Sequence, residues 1–151
     1  MHYEIKKLGT NDVALAQELF ILFKKVFNEG DIHSSDVQDD AYIKTLLEKK
    51  DFHVFVAIAD DNVIGGLTAY EFPMYLKKEK EMYLYDLAVD ENHRRKGAAK
   101  SLIQGLKEYA QQNDVATIFI EANIGDTEAI EFYKSINADM EEVKHFNIVV
   151  K

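Results

Sequence analysis

The stretch Glu81-Met-Tyr-Leu-Tyr-Asp-Leu-Ala-Val89, continued by Asp-Glu-Asn-His-Arg-Arg-Lys-Gly-Ala-Ala99, constrains the fold more than any other part of the chain. Its first half alternates and reads as a strand. Its second half is a basic turn that opens, at Gly97, into a helix. That helix is predicted from Gly97 to Gln112, because Ala99, Leu102, Ile103, Leu106, Tyr109 and Ala110 recur at helical spacing. Val115 to Glu121 is β-branched and reads as the next strand. A strand, a helix and a strand in that order make a right-handed parallel crossover. The join also has chemical meaning. A helix start presents backbone N–H groups without intrahelical partners. Small Gly97 and Ala99 let an anion approach them, and Arg94, Arg95 and Lys96 add positive charge. The same cations would equally suit a solvated turn. Neither a Walker loop nor a dinucleotide-binding glycine fingerprint is present.

The remaining segments build a sheet around that crossover. His2 to Leu8 reads as a first strand. Apolar residues at 13, 16, 19, 20, 23, 26 and 27 predict a helix that ends at Asn28-Glu29-Gly30-Asp31. A polar loop, Ile32 to Asp40, leads to a shorter helix over Asp40 to Lys49. Phe52 to Ala59 and Val63 to Phe72 form a hairpin across Asp60-Asp61-Asn62, and Pro73 ends its second strand. Beyond the crossover, Thr127 to Ile136 is a short helix with Ala129, Ile130, Tyr133 and Ile136 on one face. Glu142 to Val150 is expected to be a final strand. The order is β-α-α-β-β-β-α-β-α-β. It predicts one α/β domain over residues 1–151, with a mixed, mostly antiparallel sheet, one parallel pair and about four helices.

Charge and composition narrow the function classes. The net charge of −9 disfavours nucleic acid and favours cationic partners. No cysteine is present, which removes disulfides, thiolate catalysis and zinc–cysteine sites. The five histidines show no metal-ligand spacing, so no metal is expected. The start lacks a signal-peptide apolar stretch, and Leu19 to Phe23 is too short to span a bilayer. A cytoplasmic, membrane-free protein is the expectation.

Two residues stand out chemically. Strict alternation puts Tyr83, Tyr85, Leu87 and Val89 on one strand face and Met82, Leu84, Asp86 and Ala88 on the other. Asp86 is then a carboxylate on an apolar stripe, where burial would raise its pKa. It either pairs with a cation, lies at a solvated strand end, or holds and deprotonates a cationic amine. Tyr133 lies on the inward helix face, where core packing is the plain reading.

Arg94-Arg95-Lys96-Gly97-Ala98-Ala99 after Asp86-Leu87-Ala88-Val89 resembles the acetyl-CoA signature of GCN5-related N-acetyltransferases, Arg/Gln-x-x-Gly-x-Gly/Ala after the fourth strand. Ala129-Ile130-Glu131-Phe132-Tyr133 is similar to that family's later helical motif, and the element order is the family's. Thr68 to Pro73, Tyr83 to Val89, His93 to Arg95, Glu121 to Asp126 and Glu141 to Phe146 further resemble type I aminoglycoside 3-N-acetyltransferases, which acetylate one amine of a polycationic antibiotic.

The resemblance implies direct transfer of acetyl from acetyl-CoA to a primary amine. It gives Asp86 the role of general base and Tyr133 that of proton donor to the departing thiolate. It implies a bulge that splays the fourth strand from the fifth, freeing N–H groups of Leu87, Ala88 and Val89 for the acetyl arm. It assigns cofactor contacts to those three residues, to Arg94, Arg95, Lys96, Gly97, Ala98, Ala99 and Lys100, and to Asn123, Asp126 and Ala129. Tyr70, Glu71, Asp86, Glu121, Asn123 and Asp126 are the substrate candidates, with Asp31 and Asp36 more loosely. Lys100 replaces a usual small hydroxyl residue, so a phosphate hydrogen bond is lost or becomes a charge contact. Asn137 replaces a usual glycine after the helix, in a conformation asparagine tolerates. The segment from Tyr133 to His145 is one residue longer than the family pattern. Acceptors other than an aminoglycoside are a polyamine, an amino acid or a protein N-terminus; a non-catalytic acyl-CoA sensor is the alternative of another class. The apolar final strand makes a homodimer plausible.

Overall fold

The computed structural model describes residues 2–28 and 37–151. The expected helix end at Glu29-Gly30-Asp31 and the acidic candidates Asp31 and Asp36 lie outside the described residues. The chain forms two compact units, Met1–Glu121 and Ala122–Lys151.

The first unit holds β1 (Glu4–Lys7), α1 (Val13–Asn28), α2 (Asp40–Leu47), β2 (Phe52–Ala59), β3 (Asn62–Pro73), β4 (Lys80–Val89), α3 (Ala98–Gln112) and β5 (Val115–Ile120). The strands lie side by side in chain order. Neighbours from β1 to β4 are antiparallel, and β4 pairs with β5 in parallel. The crossover through α3 makes that parallel pair possible, since a hairpin cannot.

Each sheet face has its own helical cover. Leu19, Leu22 and Phe23 of α1 and Ile43 of α2 share a core with Phe52, Val54, Val56 and Ala88. Alternate β2 residues point the other way. Phe55 is among them, and a Cβ placed on Gly105 of α3 would lie 3.7 Å from its ring. Leu102 and Leu106 of α3 are fully buried.

One glycine sets how closely α1 approaches. A Cβ on Gly66 of β3 would fall 2.5 Å from Leu19 Cδ1 and 2.6 Å from the Phe55 carbonyl oxygen. The second atom is backbone and cannot swing aside. Gly66→Ala should therefore destabilise the fold by about 3 kcal/mol, the upper range for overpacking. Urea unfolding checks this: an unchanged midpoint would mean that α1 yields without cost.

The second unit contains α4 (Thr127–Ser135), whose N-cap Asp126 accepts a hydrogen bond from the Ala129 N–H at 3.1 Å. Asn137 follows at φ 61°, and the Ala138 N–H donates to the Tyr133 carbonyl at 3.1 Å. The left-handed residue thus closes the helix, as a glycine would. The expected strand over Glu142 to Val150 does not form. Residues 138–151 carry no regular structure, and Phe146, Ile148, Val149 and Val150 are exposed. β propensity favours a pleated, half-buried surface, but a strand forms only where a neighbour takes its backbone groups. No described strand pairs with this segment.

Candidate active site

β4 changes phase in its middle. Leu84 pairs with Ala69 and Asp86 with Thr68, so Tyr85 is an extra residue without a partner on β3. This is a β-bulge, and it alters which side chains share a face. Asp86 pairs with Thr68, which pairs with Val54 of the α1–α2 core. Asp86 therefore faces the α1–α2 side. Leu84 pairs with Ala69, which pairs with His53 on the α3 side. The expected stripe of Met82, Leu84, Asp86 and Ala88 is thus corrected: Asp86 and Ala88 sit opposite to Met82 and Leu84. Strict alternation holds only on each side of Tyr85.

The bulge gathers aromatic rings around Asp86. The Tyr85 ring lies 5.8 Å from that of Tyr70 and 5.5 Å from that of Tyr83. Tyr83 stacks on Phe119 of β5 at 4.8 Å and 19°. Burial raises the Tyr83 phenol first; the Glu121 carboxylate, to which the hydroxyl donates a hydrogen bond, raises it further, with Tyr85 and Asp86 adding. The Tyr70 phenol is likewise raised by burial, then by Tyr85, Tyr42, Asp86 and Asp51. Tyr70, Asp86 and Glu121 are therefore brought together. Asp86 is half-buried, and burial pushes its carboxyl above the ordinary range. Among the described residues no cation forms an ion pair with it. Tyr83, Tyr85 and Phe119 were not legible as site residues, because only the bulge puts Tyr85 and Asp86 on one face.

Glu71 goes elsewhere. It pairs with Met82 across the ladder and faces α3. Its carboxylate lies 3.4 Å from His53 Nε2 and 3.6 Å from Lys80 Nζ, and it accepts a long hydrogen bond from the Tyr109 hydroxyl at 3.5 Å. His53 is buried, which lowers its pKa against the opposing pull of Glu71. The structure does not bring Glu71 together with Tyr70 and Asp86.

The end of β4 outruns its parallel partner. Pairing with β5 stops at Leu84 and Ile120, whereas β4 continues to Val89 against β3 alone. From Tyr85 to Val89 the strand has backbone groups directed to a side where β5 has ended. Leu87, Ala88 and Val89, the candidates for acetyl-arm contacts, lie in this span.

The following turn is tied to the strand. Arg94 Nε donates to the Val89 carbonyl at 3.0 Å, a bond that does not use the outer guanidinium nitrogens. Asp90 accepts from the Asn92 N–H at 2.9 Å, and Lys96 Nζ donates to the Asn92 carbonyl at 2.9 Å. Arg95 and Gly97 take φ values of 59° and 90°. The helix begins at Ala98, one residue later than expected, with Gly97 as N-cap. No side chain caps it, and no atom lies within 4 Å of where a Gly97 Cβ would be. The N–H groups of the first turn therefore have no side-chain cap, and they follow Arg94, Arg95 and Lys96 in the chain. Ala98 is buried, Ala99 is partly so, and Lys100 is exposed.

In the second unit, Asn123 and Asp126 form the turn into α4, where the Asp126 N–H donates to the Asn123 carbonyl at 2.9 Å. Ala129 is spent on the cap, its N–H donating to Asp126. The Tyr133 phenol is pushed up to about 12 by burial, with the Asp126 carboxylate adding to it. It is therefore a neutral hydroxyl at ordinary pH, able to donate a hydrogen bond. Among the described residues, no group of three or more His, Cys, Asp or Glu could hold a metal ion, and no helix is long and apolar enough to cross a membrane.

Known proteins resemble this chain to different depths. Two aminoglycoside acetyltransferases from uncultured soil metagenomic samples superpose with TM-scores of 0.92. One, in complex with sisomicin, is 31% identical and covers 99% of this chain and 97% of its own. The other is 36% identical and covers both chains completely. An uncharacterized N-acetyltransferase, YhfO of Bacillus subtilis, is 25% identical over 86% of this chain and 85% of its own length. Human N-acetyltransferase 8 is 24% identical over 82% of this chain, which spans only 55% of that protein. The profile of the Acetyltransferase (GNAT) family matches residues 16–137. A five-stranded sheet whose fourth and fifth strands run parallel, and a profile match across most of the chain, mean that this protein belongs to the GNAT acetyltransferase family and has its α/β fold.

Proposed function

We propose that residues 1–151 act as one acetyl-CoA-dependent N-acetyltransferase domain whose acceptor is a primary amine on a cationic, aminoglycoside-like small molecule. The observation that carries this is Asp86: a half-buried carboxylate without a described cation, one residue past a bulge, where β4 outruns β5. The uncapped start of α3 suits a pyrophosphate, since no side chain takes its N–H groups, Gly97 leaves room beside them, and three cations precede it. Leu87 to Val89 supply backbone donors for the acetyl carbonyl, where negative charge develops. Acetyl-CoA brings the activated acyl group. Asp86 holds the incoming ammonium and takes its proton, directly or through water, so that the free amine can attack. Tyr133 gives its proton to the departing thiolate. Tyr70 and Glu121 join Asp86 on the acceptor side, with Asn123 and Asp126 as loop contacts.

Aminoglycoside-like acceptors are favoured over other amines by 31–36% identity to aminoglycoside acetyltransferases across nearly the whole chain. The finer expectation of 3-N regiochemistry rests on the five sequence blocks alone. Thiol release from acetyl-CoA, with sisomicin, spermidine, free amino acids and a short peptide as acceptors, tests the reading. Release with sisomicin is expected. Release only with peptide would defeat the aminoglycoside reading, and coenzyme A binding without release for any amine would favour a sensor.

A further inference from the structure

Of the rings around Asp86, Tyr83 packs on Phe119 and Tyr70 on Phe52, whereas Tyr85 touches only the other two tyrosines among the ring contacts of the described residues. Tyr85 is left out of the β3–β4 ladder and is 58% exposed, although it touches two other tyrosines. Tyr70 is 42% exposed on the same face. Single exposed aromatics are ordinary, but a contiguous group on one sheet face is a recognition surface. Its chemistry is specific. Aromatic faces attract cations and accept the C–H faces of saturated rings. Asp86 and Glu121 add two carboxylates to the cluster, and Asp86 is without a described cation. A net charge of −9 further favours a cationic ligand.

We infer that Tyr85, with Tyr70 and Tyr83 beside it, is a specificity-determining surface that takes the acceptor by the face of a saturated ring and directs a ring-borne ammonium to Asp86. The inference rests on the proposed transfer reaction and names what selects its acceptor. A ring presents a preformed flat face to these tyrosines. A flexible chain must give up rotatable bonds to make the same contact, which weakens its binding. The bulge is what makes the selection work, because it turns the stacking ring and the carboxylate to the same side.

The test compares cyclohexylamine with hexylamine, which differ in ring closure, in steady-state acetylation by the wild type and by Tyr85→Leu, Tyr85→Phe and Tyr75→Ala. Tyr75 is exposed in the β3–β4 loop and serves as control. Tyr85→Leu should raise KM for cyclohexylamine about tenfold, with kcat and the hexylamine KM changed less than about twofold. Tyr85→Phe should keep wild-type KM values, since the ring face survives. Equal effects on the two amines, or none, would overturn the inference while leaving the transfer reaction standing. A second measurement needs no turnover. Saturation of tyrosine ring protons should transfer to choline more strongly than to its neutral isostere dimethylbutanol, and Tyr85→Leu should weaken that transfer. Equal transfer to both, or transfer unchanged in the variant, would defeat the aromatic surface even if acetylation is observed. Selective transfer without acetylation of any amine would keep the surface and defeat the reaction.

Discussion

Asp86→Asn should lower kcat for acetyl transfer by about 10²- to 10⁴-fold while changing coenzyme A affinity less than about twofold. The substitution keeps size and shape and removes the proton acceptor. Equal losses in both quantities would mean that Asp86 shapes the fold of β4 and not the chemistry. The pH profile follows from the raised carboxyl. The active form is the carboxylate, so amine acetylation should fall as pH drops through a value above the ordinary Asp range. The sign for stability is opposite. A folded-state pKa above the unfolded value contributes stability that is fully present below the unfolded pKa and is lost as pH rises through the folded one. At neutral pH the charged Asp86 is thus a cost to the fold. Thermal unfolding of Asp86→Asn at neutral pH should occur at the wild-type temperature or slightly above it, even though activity is nearly lost.

The second large effect is expected at the basic turn. Arg94→Met should weaken coenzyme A binding about 10- to 100-fold, as for loss of charge-assisted hydrogen bonds. Two contributions are removed together: the outer guanidinium, and the Nε bond of 3.0 Å that fastens the turn to the Val89 carbonyl. Arg94→Lys separates them, because it keeps the charge and gives up that planar anchor. Calorimetry with coenzyme A reads both variants. If Lys restores most of the affinity, charge dominates; if it behaves like Met, the tie to Val89 does. Unchanged affinity in Arg94→Met would remove the turn from the phosphate-binding role.

Much of this was legible because periodicity is local. Phe52 to Ala59 forms a strand with the expected bounds, and α3 starts one residue late because Gly97 is its cap. Three features were hidden for physical reasons. The resemblance implied a bulge in the fourth strand but not its place: the run Leu84-Tyr85-Asp86-Leu87 looks alternating whether or not a residue is left unpaired, and only the register with Ala69 and Thr68 shows that Tyr85 is. Glu71 reads as a cleft-rim carboxylate, yet its parity on β3 turns it to His53, Lys80 and Tyr109, contacts set by residues distant in sequence. The segment from Glu142 to Val150 has the composition of a strand but pairs with none of the described strands. Composition expresses a preference, and pairing decides the outcome.

The unpaired residue in β4 acts on the strand as a frameshift acts on a message. Everything downstream of it is read on the other face. Loss of residue 85 would leave Leu84 opposite Ala69 and Asp86 opposite Thr68, so Asp86 would keep its face and lose the Tyr85 ring beside it. Substitutions at this position would alter the inferred grip on a ligand. Drawing Tyr85 into the ladder would exchange what the two sides of the sheet present beyond it, so in this strand register is held more tightly than identity.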